Sequence, residues 1–264
     1  MTYRPRDLGL RSVIGSTGAL RRRYLAWFGI PDVRTHLTGT YLLPAMVRLG
    51  SGSILDVGCG SGLLTCLVAS SLPEARVSGW DRDEAAIDYA RRLASAHGVS
   101  NAAFDVMDVE TGEPETTPRF DAVTSMAVLQ FVNDTHGVLR RFAESLVPGG
   151  HLVLQVPAAD QPKTALGRTS WQACRLPDFQ EARGGFSEDE CRAMIAAVGL
   201  ELVELTPIIK GPTLLAKEIF YLALSIHRSL AAAVCPILNW ITVFDPGYRG
   251  AGAGYFIVAR KPSS

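Results

Sequence analysis

Cysteine is scarce and scattered. The five, Cys59, Cys66, Cys174, Cys191 and Cys235, are odd in number and contain no CxxC pair, which argues against a disulfide framework and a zinc knuckle and leaves a reducing, cytoplasmic location as the expectation. No metal site is expected. Excess charge of either sign is also missing: 26 basic residues cancel 26 acidic ones, so no global field draws the chain to nucleic acid. Long apolar runs are lacking too. The nearest candidate, EIFYLALSIHRSLAAAVCPILNWITVF at 218–244, is split by His227, Arg228 and Pro236 into halves of about ten residues, whereas a spanning helix needs roughly 18 or more. It reads as a buried helical cap, a hydrophobic substrate wall or a stretch lying in a membrane interface. The basic N-terminus has no uninterrupted apolar core before a small-residue cleavage site, so no secretory signal is expected. Repeats, low-complexity tracts and an interdomain linker are absent as well. A chain of 264 residues buries a core without staples, and a single domain over 1–264 is expected.

What is present is a rhythm. SILDVG ends a short apolar run in a glycine turn, LLTCLVASSL follows with helical spacing, and RVSGWD is again a short strand ending in an acid. The alternation continues through DEAAIDYARRLASAHG, NAAFDVMD, FDAVTSMAVLQF, DTHGVLRRFAESLVPGG and HLVLQVP. FSEDECRAMIAAVGL then opens with a Ser187 to Glu190 capping box, and strands LELVELTPI and GYFIVARKP close the chain. Short strands alternating with helices predict an α/β fold: a Rossmann-like, mainly parallel sheet of seven strands with helices on both faces. The core spans about 46–157 and 187–264. Three decorations, 1–45, 158–186 and 210–253, are expected to cap the ligand end.

ILDVGCGSG, residues 54–62, places three glycines at alternate positions behind a lone acid. In an open α/β sheet, ligands bind beyond the carboxyl ends of the strands, where strand order reverses. Glycines there permit a tight turn and close approach of a ligand to the backbone. The dinucleotide fingerprint is G-x-G-x-x-G; here the third glycine, Gly62, comes one residue early, and Asp56 precedes Gly58 by two. An aspartate so placed repels a pyrophosphate and suits a cationic amino group, directly or through water.

With those residues in view, ILDVGCGSG resembles motif I of the class I S-adenosylmethionine (SAM)-dependent methyltransferases. Further segments match in order: VSGWD, FDVMD, FDAVTSMAVLQF and LVPGGHLVL, so the resemblance covers roughly 50–205. It implies SAM as cofactor, held by Asp56, Gly58, Cys59 and Gly60 of the loop. Asp81 would meet the ribose, Asp108 and Val109 the adenine, and Met126 the methionine moiety, with Arg82 and Met107 also counted among the cofactor-binding residues. Gln130 and Phe131 stand where similar enzymes often carry a Glu-His pair, a departure that removes one obvious acid/base and tilts the pocket toward hydrogen bonding and apolar contact.

Methyl transfer from a sulfonium is an in-line displacement in which alignment is the main contribution, and a general base is needed only for a nucleophile that is protonated at neutral pH. The candidates for that role are His36, Tyr41 and His227. The decorations are rich in aromatics, among them Trp171 and Tyr221, which suits a hydrophobic small-molecule acceptor such as a quinone, polyketide, terpenoid or lipid-like metabolite. The other class of function compatible with the missing base is a SAM-binding protein without methyl transfer, either a cyclisation or rearrangement catalyst or a regulatory scaffold. Peripheral membrane contact, through 218–244 or the arginine run at 21–23, and a homodimer through the same apolar segment are compatible with the sequence, although no residue specifies either.

Overall fold

The computed structural model describes residues 33–112, 119–162 and 184–263. Its frame is one sheet of seven strands in the order β3-β2-β1-β4-β5-β7-β6: β1 (Ser53–Val57), β2 (Arg76–Asp81), β3 (Ala102–Val106), β4 (Phe120–Met126), β5 (Leu146–Pro157), β6 (Glu201–Lys210) and β7 (Gly252–Arg260). β1 to β5 pair in parallel and β7 runs antiparallel to both β5 and β6. The alternation of strands and helices thus builds the expected mainly parallel Rossmann-like sheet. Because β1 lies between β2 and β4, the order reverses at the β1/β4 boundary, and the crevice beyond their carboxyl ends is the natural ligand site.

Seven helices dress the sheet among the described residues: α1 (Val33–Leu49), α2 (Leu63–Ser71), α3 (Glu84–His97), α4 (Thr135–Ser145), α5 (Glu188–Ala197), α6 (Gly211–Ile226) and α7 (Arg228–Thr242). Their ends follow local chemistry. Asp83 caps α3 by accepting the Ala85 amide, and Gly98, at φ 67°, closes it. Asp134 caps α4, and the reciprocal Ser187–Glu190 capping box starts α5. The expected helix start at Ser187 is therefore observed. One face of the sheet is closed by Val123, Leu152, Leu154 and Ile257 against Phe142, Phe186 and Ile195. The other is closed by Ile54, Val77, Val153 and Val258 against Leu37, Leu42 and Met46 of α1. β5 begins at Leu146, earlier than HLVLQVP suggested, since Leu146 already pairs with Phe120 of β4 before the register shifts ahead of His151.

The segment between β6 and β7 is a helical hairpin with a small core of its own. Phe220, Tyr221, Ala231, Cys235 and Leu238 pack together with Val33 of α1. A buried carboxylate anchors this hairpin to the sheet. Asp245, in the 3-10 turn Asp245–Gly247, is fully buried and accepts the Lys210 amide at 2.7 Å, the Ile209 amide at 3.1 Å and the Tyr41 hydroxyl at 2.7 Å. Ile209 has φ 61°, an outlier for a β-branched residue, and its amide points at that carboxylate. Turn, edge strand and α1 thus meet on one anion.

Removing a donor from a buried, charged acceptor costs about 1–3 kcal/mol. Tyr41→Phe is expected to lower the stability read by urea unfolding by that amount while SAM affinity of the folded protein stays unchanged; a variant as stable as wild type would show that the three-way contact contributes nothing.

Candidate active site

The glycine loop is built from three constraints. At Gly58 (φ 71°), an added Cβ would overlap the side chain of Val128. At Gly62 (φ 72°) it would lie 2.6 Å from the Ala90 Cβ and 2.8 Å from the Phe104 ring. At Gly60 (φ 53°) it would meet nothing within 4 Å. The outer glycines let neighbouring elements close in, and the middle one borders open space. The loop is tied to β2: the Gly58 and Cys59 amides donate to the Trp80 carbonyl at 2.7 and 3.0 Å, and the Gly60 amide donates to Asp81 Oδ2 at 2.8 Å.

Asp56 is buried beneath this loop. The Thr65 hydroxyl of α2 donates to its Oδ2 at 2.6 Å and the Thr124 hydroxyl of β4 to its Oδ1 at 3.0 Å. Burial pushes its carboxyl up to about 6 in spite of both hydroxyls, with Asp81 adding a like charge. Asp81 is likewise raised, chiefly by burial, and each of its oxygens accepts one amide, from Gly60 and from Asp83. One lone pair on each remains for a further donor. Burial drives the Cys59 thiol well above its ordinary value, with Asp56 and Asp81 reinforcing it, so it is a packed thiol and not a nucleophile.

The next loop is organised from outside. Met107 donates its amide to the Asp81 carbonyl at 2.9 Å, Asp108 Oδ1 accepts the Glu110 amide at 2.9 Å, and Arg141 of α4 holds the Val109 and Gly112 carbonyls, each at 3.0 Å. Asp56, Gly58, Cys59, Gly60, Asp81, Met107, Asp108 and Val109 are thus brought together by direct contacts or one intermediary, while Arg82 lies exposed beside Asp81. At the end of β4, Met126 leads into Ala127, which has φ 59°. The Gln130 amide nitrogen donates to the Ala127 carbonyl at 3.0 Å, its Oε1 is buried with no hydrogen-bond partner among the described residues, and Phe131 is half-buried beside it.

The catalytic candidates fare differently. Tyr41 is spent on Asp245, and burial together with that carboxylate raises its hydroxyl far above the ordinary phenol range; it is a structural donor and not a base. His227 is exposed at the turn between α6 and α7. The 16 residues of α6 put it about 24 Å along the helix from the end of β6. Tyr221 is buried in the hairpin core, where its hydroxyl accepts from Arg34 at 3.3 Å, and it is not brought to the loop. His36 contacts the Thr242 hydroxyl through Nδ1 at 2.8 Å; since that hydroxyl donates to the Asn239 carbonyl, Nδ1 carries the proton. Trp171 lies outside the described residues. Sequence reasoning missed Thr65, Thr124, Val128 and Arg141. A hydroxyl three residues into the helix after a glycine loop was the one readable signal; the others are brought in only by the fold.

Residues 50–189 match the methyltransferase domain family, more than half of the chain. The chain belongs to the methyltransferase domain family, in the class I SAM-dependent group. It is 38% identical over 99 residues to a malonyl-[acyl-carrier protein] O-methyltransferase of Acetivibrio thermocellus, covering 38% of this chain and 33% of that protein. It is 33% identical over 139 residues to a trans-aconitate 2-methyltransferase of Variovorax paradoxus, covering 53% and 49%. The chain thus spans about a third to a half of these relatives' lengths. Among solved structures, a putative sarcosine dimethylglycine methyltransferase from Galdieria sulphuraria aligns with a TM-score of 0.60 at 14% identity, covering 86% of each chain. The [4+2]-cyclase SpnF aligns with 0.59 at 18%, covering 85% of this chain and 81% of that one; both likenesses concern the fold alone.

The cofactor of the family is SAM, and the residues present fit it. Among the described residues no atom lies within 4 Å of a Cβ placed at Gly60, the Asp81 carboxylate is anchored next to it with lone pairs to spare, and Asp56 sets negative charge behind the loop.

Two outcomes follow from this geometry. Gly60→Ala bears only the left-handed backbone cost of about 1–2 kcal/mol yet is expected to weaken SAM binding at least tenfold, whereas Gly58→Ala and Gly62→Ala add overpacking and lose about 2–5 kcal/mol of stability; equal losses for all three would contradict it. For Asp56 the folded pKa of about 6 exceeds the ordinary carboxylate value near 4. Between those values the folded state keeps a proton that the unfolded chain has released, so stability falls as pH rises from about 4 to 6 and stays lower above it. Asp56→Asn should flatten that slope and unfold about 1–2 kcal/mol later than wild type at pH 8, where the buried charge is gone. Parallel pH–stability curves for the two proteins would refute this.

Proposed function

We propose that this protein transfers the methyl group of SAM to a hydrophobic small molecule, a quinone, polyketide, terpenoid or lipid-like metabolite, by in-line displacement. The observation that carries the reading is the open space at Gly60, flanked by the anchored Asp81 carboxylate and backed by Asp56. When bound, SAM supplies an electrophilic methyl group. The chain's own contribution is position: Asp81 and the 107–109 loop take the nucleoside, Asp56 sets its charge behind the charged end, and Met126 with Gln130 and Phe131 form the floor on which an acceptor rests. Alignment of this kind can be worth about 7–11 kcal/mol.

Gln130, which follows β4, can orient an acceptor and cannot deprotonate it. That favours a nucleophile already ionised, soft or carbon-based, with His36 as the remaining candidate for proton transfer. The named acceptors of the curated relatives belong to proteins that share 38–53% of this chain, and the apolar acceptor rests on the aromatic and aliphatic cap instead. A second reading, SAM binding without methyl transfer, draws support from the same neutral amide and from the fold-level likeness to a cyclase.

Calorimetric titration is expected to give micromolar binding of SAM and S-adenosylhomocysteine and none of NADH, with Asp81→Ala weakening SAM at least tenfold. Unchanged affinity in Asp81→Ala would count heavily against the reading. Mass spectrometry of products separates the two readings, since only methyl transfer replaces a hydrogen with CH₃.

A further inference from the structure

We infer that the outward face of α7 docks on the surface of a phospholipid bilayer. The helix is two-sided. Ala231, Cys235 and Leu238 are buried in the hairpin core, with Asn239 and Thr242 buried on the same side, so the helix cannot roll to hide its other side. That other side carries Leu230 (41% exposed), Ile237 (69%) and Trp240 (66%), continued by Val243 (52%) and Phe244 (47%) past the last turn and by Ile226 (67%) before the first. The Trp240 and Phe244 rings meet edge-to-face with centroids 5.1 Å apart.

The charge pattern matches a lipid surface. No acidic residue occurs from 219 to 244 and Arg228 is the sole lysine or arginine there, so nothing along the stripe repels an anionic headgroup or strands a carboxylate in the interface. Exposed His227 and Arg249 stand beyond the two ends. Size argues against a second copy of the chain. The stripe is roughly 20 Å long and one helix wide, on the order of 200 Å², well below the roughly 800 Å² per partner of a stable protein interface. A helix lying in the headgroup region needs only to sink its apolar face about 5–10 Å. Residues 230–247 have a mean hydropathy of 1.3, enough by composition and length to cross a membrane, but the packed, polar-bearing inner face commits this segment to lying on the surface.

Full-length protein is expected to float with phosphatidylcholine vesicles in a density gradient, more strongly when phosphatidylglycerol is included. Ile237→Glu/Trp240→Glu should lower the bound fraction at least tenfold while calorimetry shows SAM affinity within about twofold of wild type, which separates loss of docking from loss of fold or of the cofactor site. Independently of that variant, brominated phospholipid should quench the part of the fluorescence that Trp240→Phe removes. Wild type that stays with the soluble fraction, or floats as well as the double variant, would overturn the inference. So would a concentration-dependent dimer abolished by the double variant, which would assign the face to a second copy, or a Trp240 already shielded from acrylamide in the vesicle-free monomer, which would assign it to a segment of the same chain.

Discussion

The site depends on one buried carboxylate. Asp56 lies between β1, α2 and β4, and both of its oxygens are taken by hydroxyls, Thr65 from one side and Thr124 from the other. Two neutral donors do not offset the loss of water around a carboxylate, which is why its pKa rises to about 6. An apolar residue there would bury at less cost but would leave the Thr65 and Thr124 hydroxyls without their acceptor and the charged end of a sulfonium amino acid without a counter-field. The same triad joins the start of α2 to the ends of β1 and β4, so the loop between them is held at both ends. Its amides are spent on β2, at the Trp80 carbonyl and the Asp81 carboxylate. What remains open among the described residues is the space beside Gly60, next to an Asp81 carboxylate that can still accept a donor.

A second buried aspartate does opposite work. Asp245 accepts two backbone amides and a phenol, a set that suits an ion better than two hydroxyls do, since amides at the end of a strand would otherwise be orphaned. It binds the cap to the edge strand and to α1. α1 in turn reaches the centre of the sheet, where the Thr38 hydroxyl donates to Gln155 Oε1 at 2.7 Å and the Gln155 carbonyl accepts the Ala127 amide at 2.9 Å. α1 and the turn after β4 are therefore linked through a short run of hydrogen bonds across β5. One aspartate braces the glycine loop; the other holds the cap in place.

These two acids also mark what could be read from the sequence. Asp56 was legible because it stands two residues before a glycine loop in a strand–turn–helix context, and Asp81 and Asp108 were legible because each ends a strand of the same rhythm. The seven strands followed from that alternation, with helix ends at Asp83, Gly98 and Ser187 set by local capping. Asp245 carried an equally strong signal, an acid closing a long apolar segment, yet its meaning depended on Tyr41 and Ile209, 204 and 36 residues away. No local pattern encodes such a separation. Tyr41 and His227 were drawn toward catalysis because residue type and a place near the ligand end were visible, whereas the hydroxyl's partner and the length of α6 were not. Val128 and Arg141 belong to the same class: a side chain lying against Gly58 and a guanidinium holding two carbonyls are products of packing, and neither residue type announces the task.

The strain after β4 completes the argument about chemistry. Ala127 takes a left-handed backbone at a cost of about 1–2 kcal/mol, held by its amide to Gln155 and by its carbonyl to the Gln130 amide nitrogen. Gln130 is thereby oriented, its Nε2 is committed, and its Oε1 is left buried and unmatched. An unmatched buried acceptor is costly until a donor reaches it. The strained turn thus fixes the direction of the Gln130 side chain.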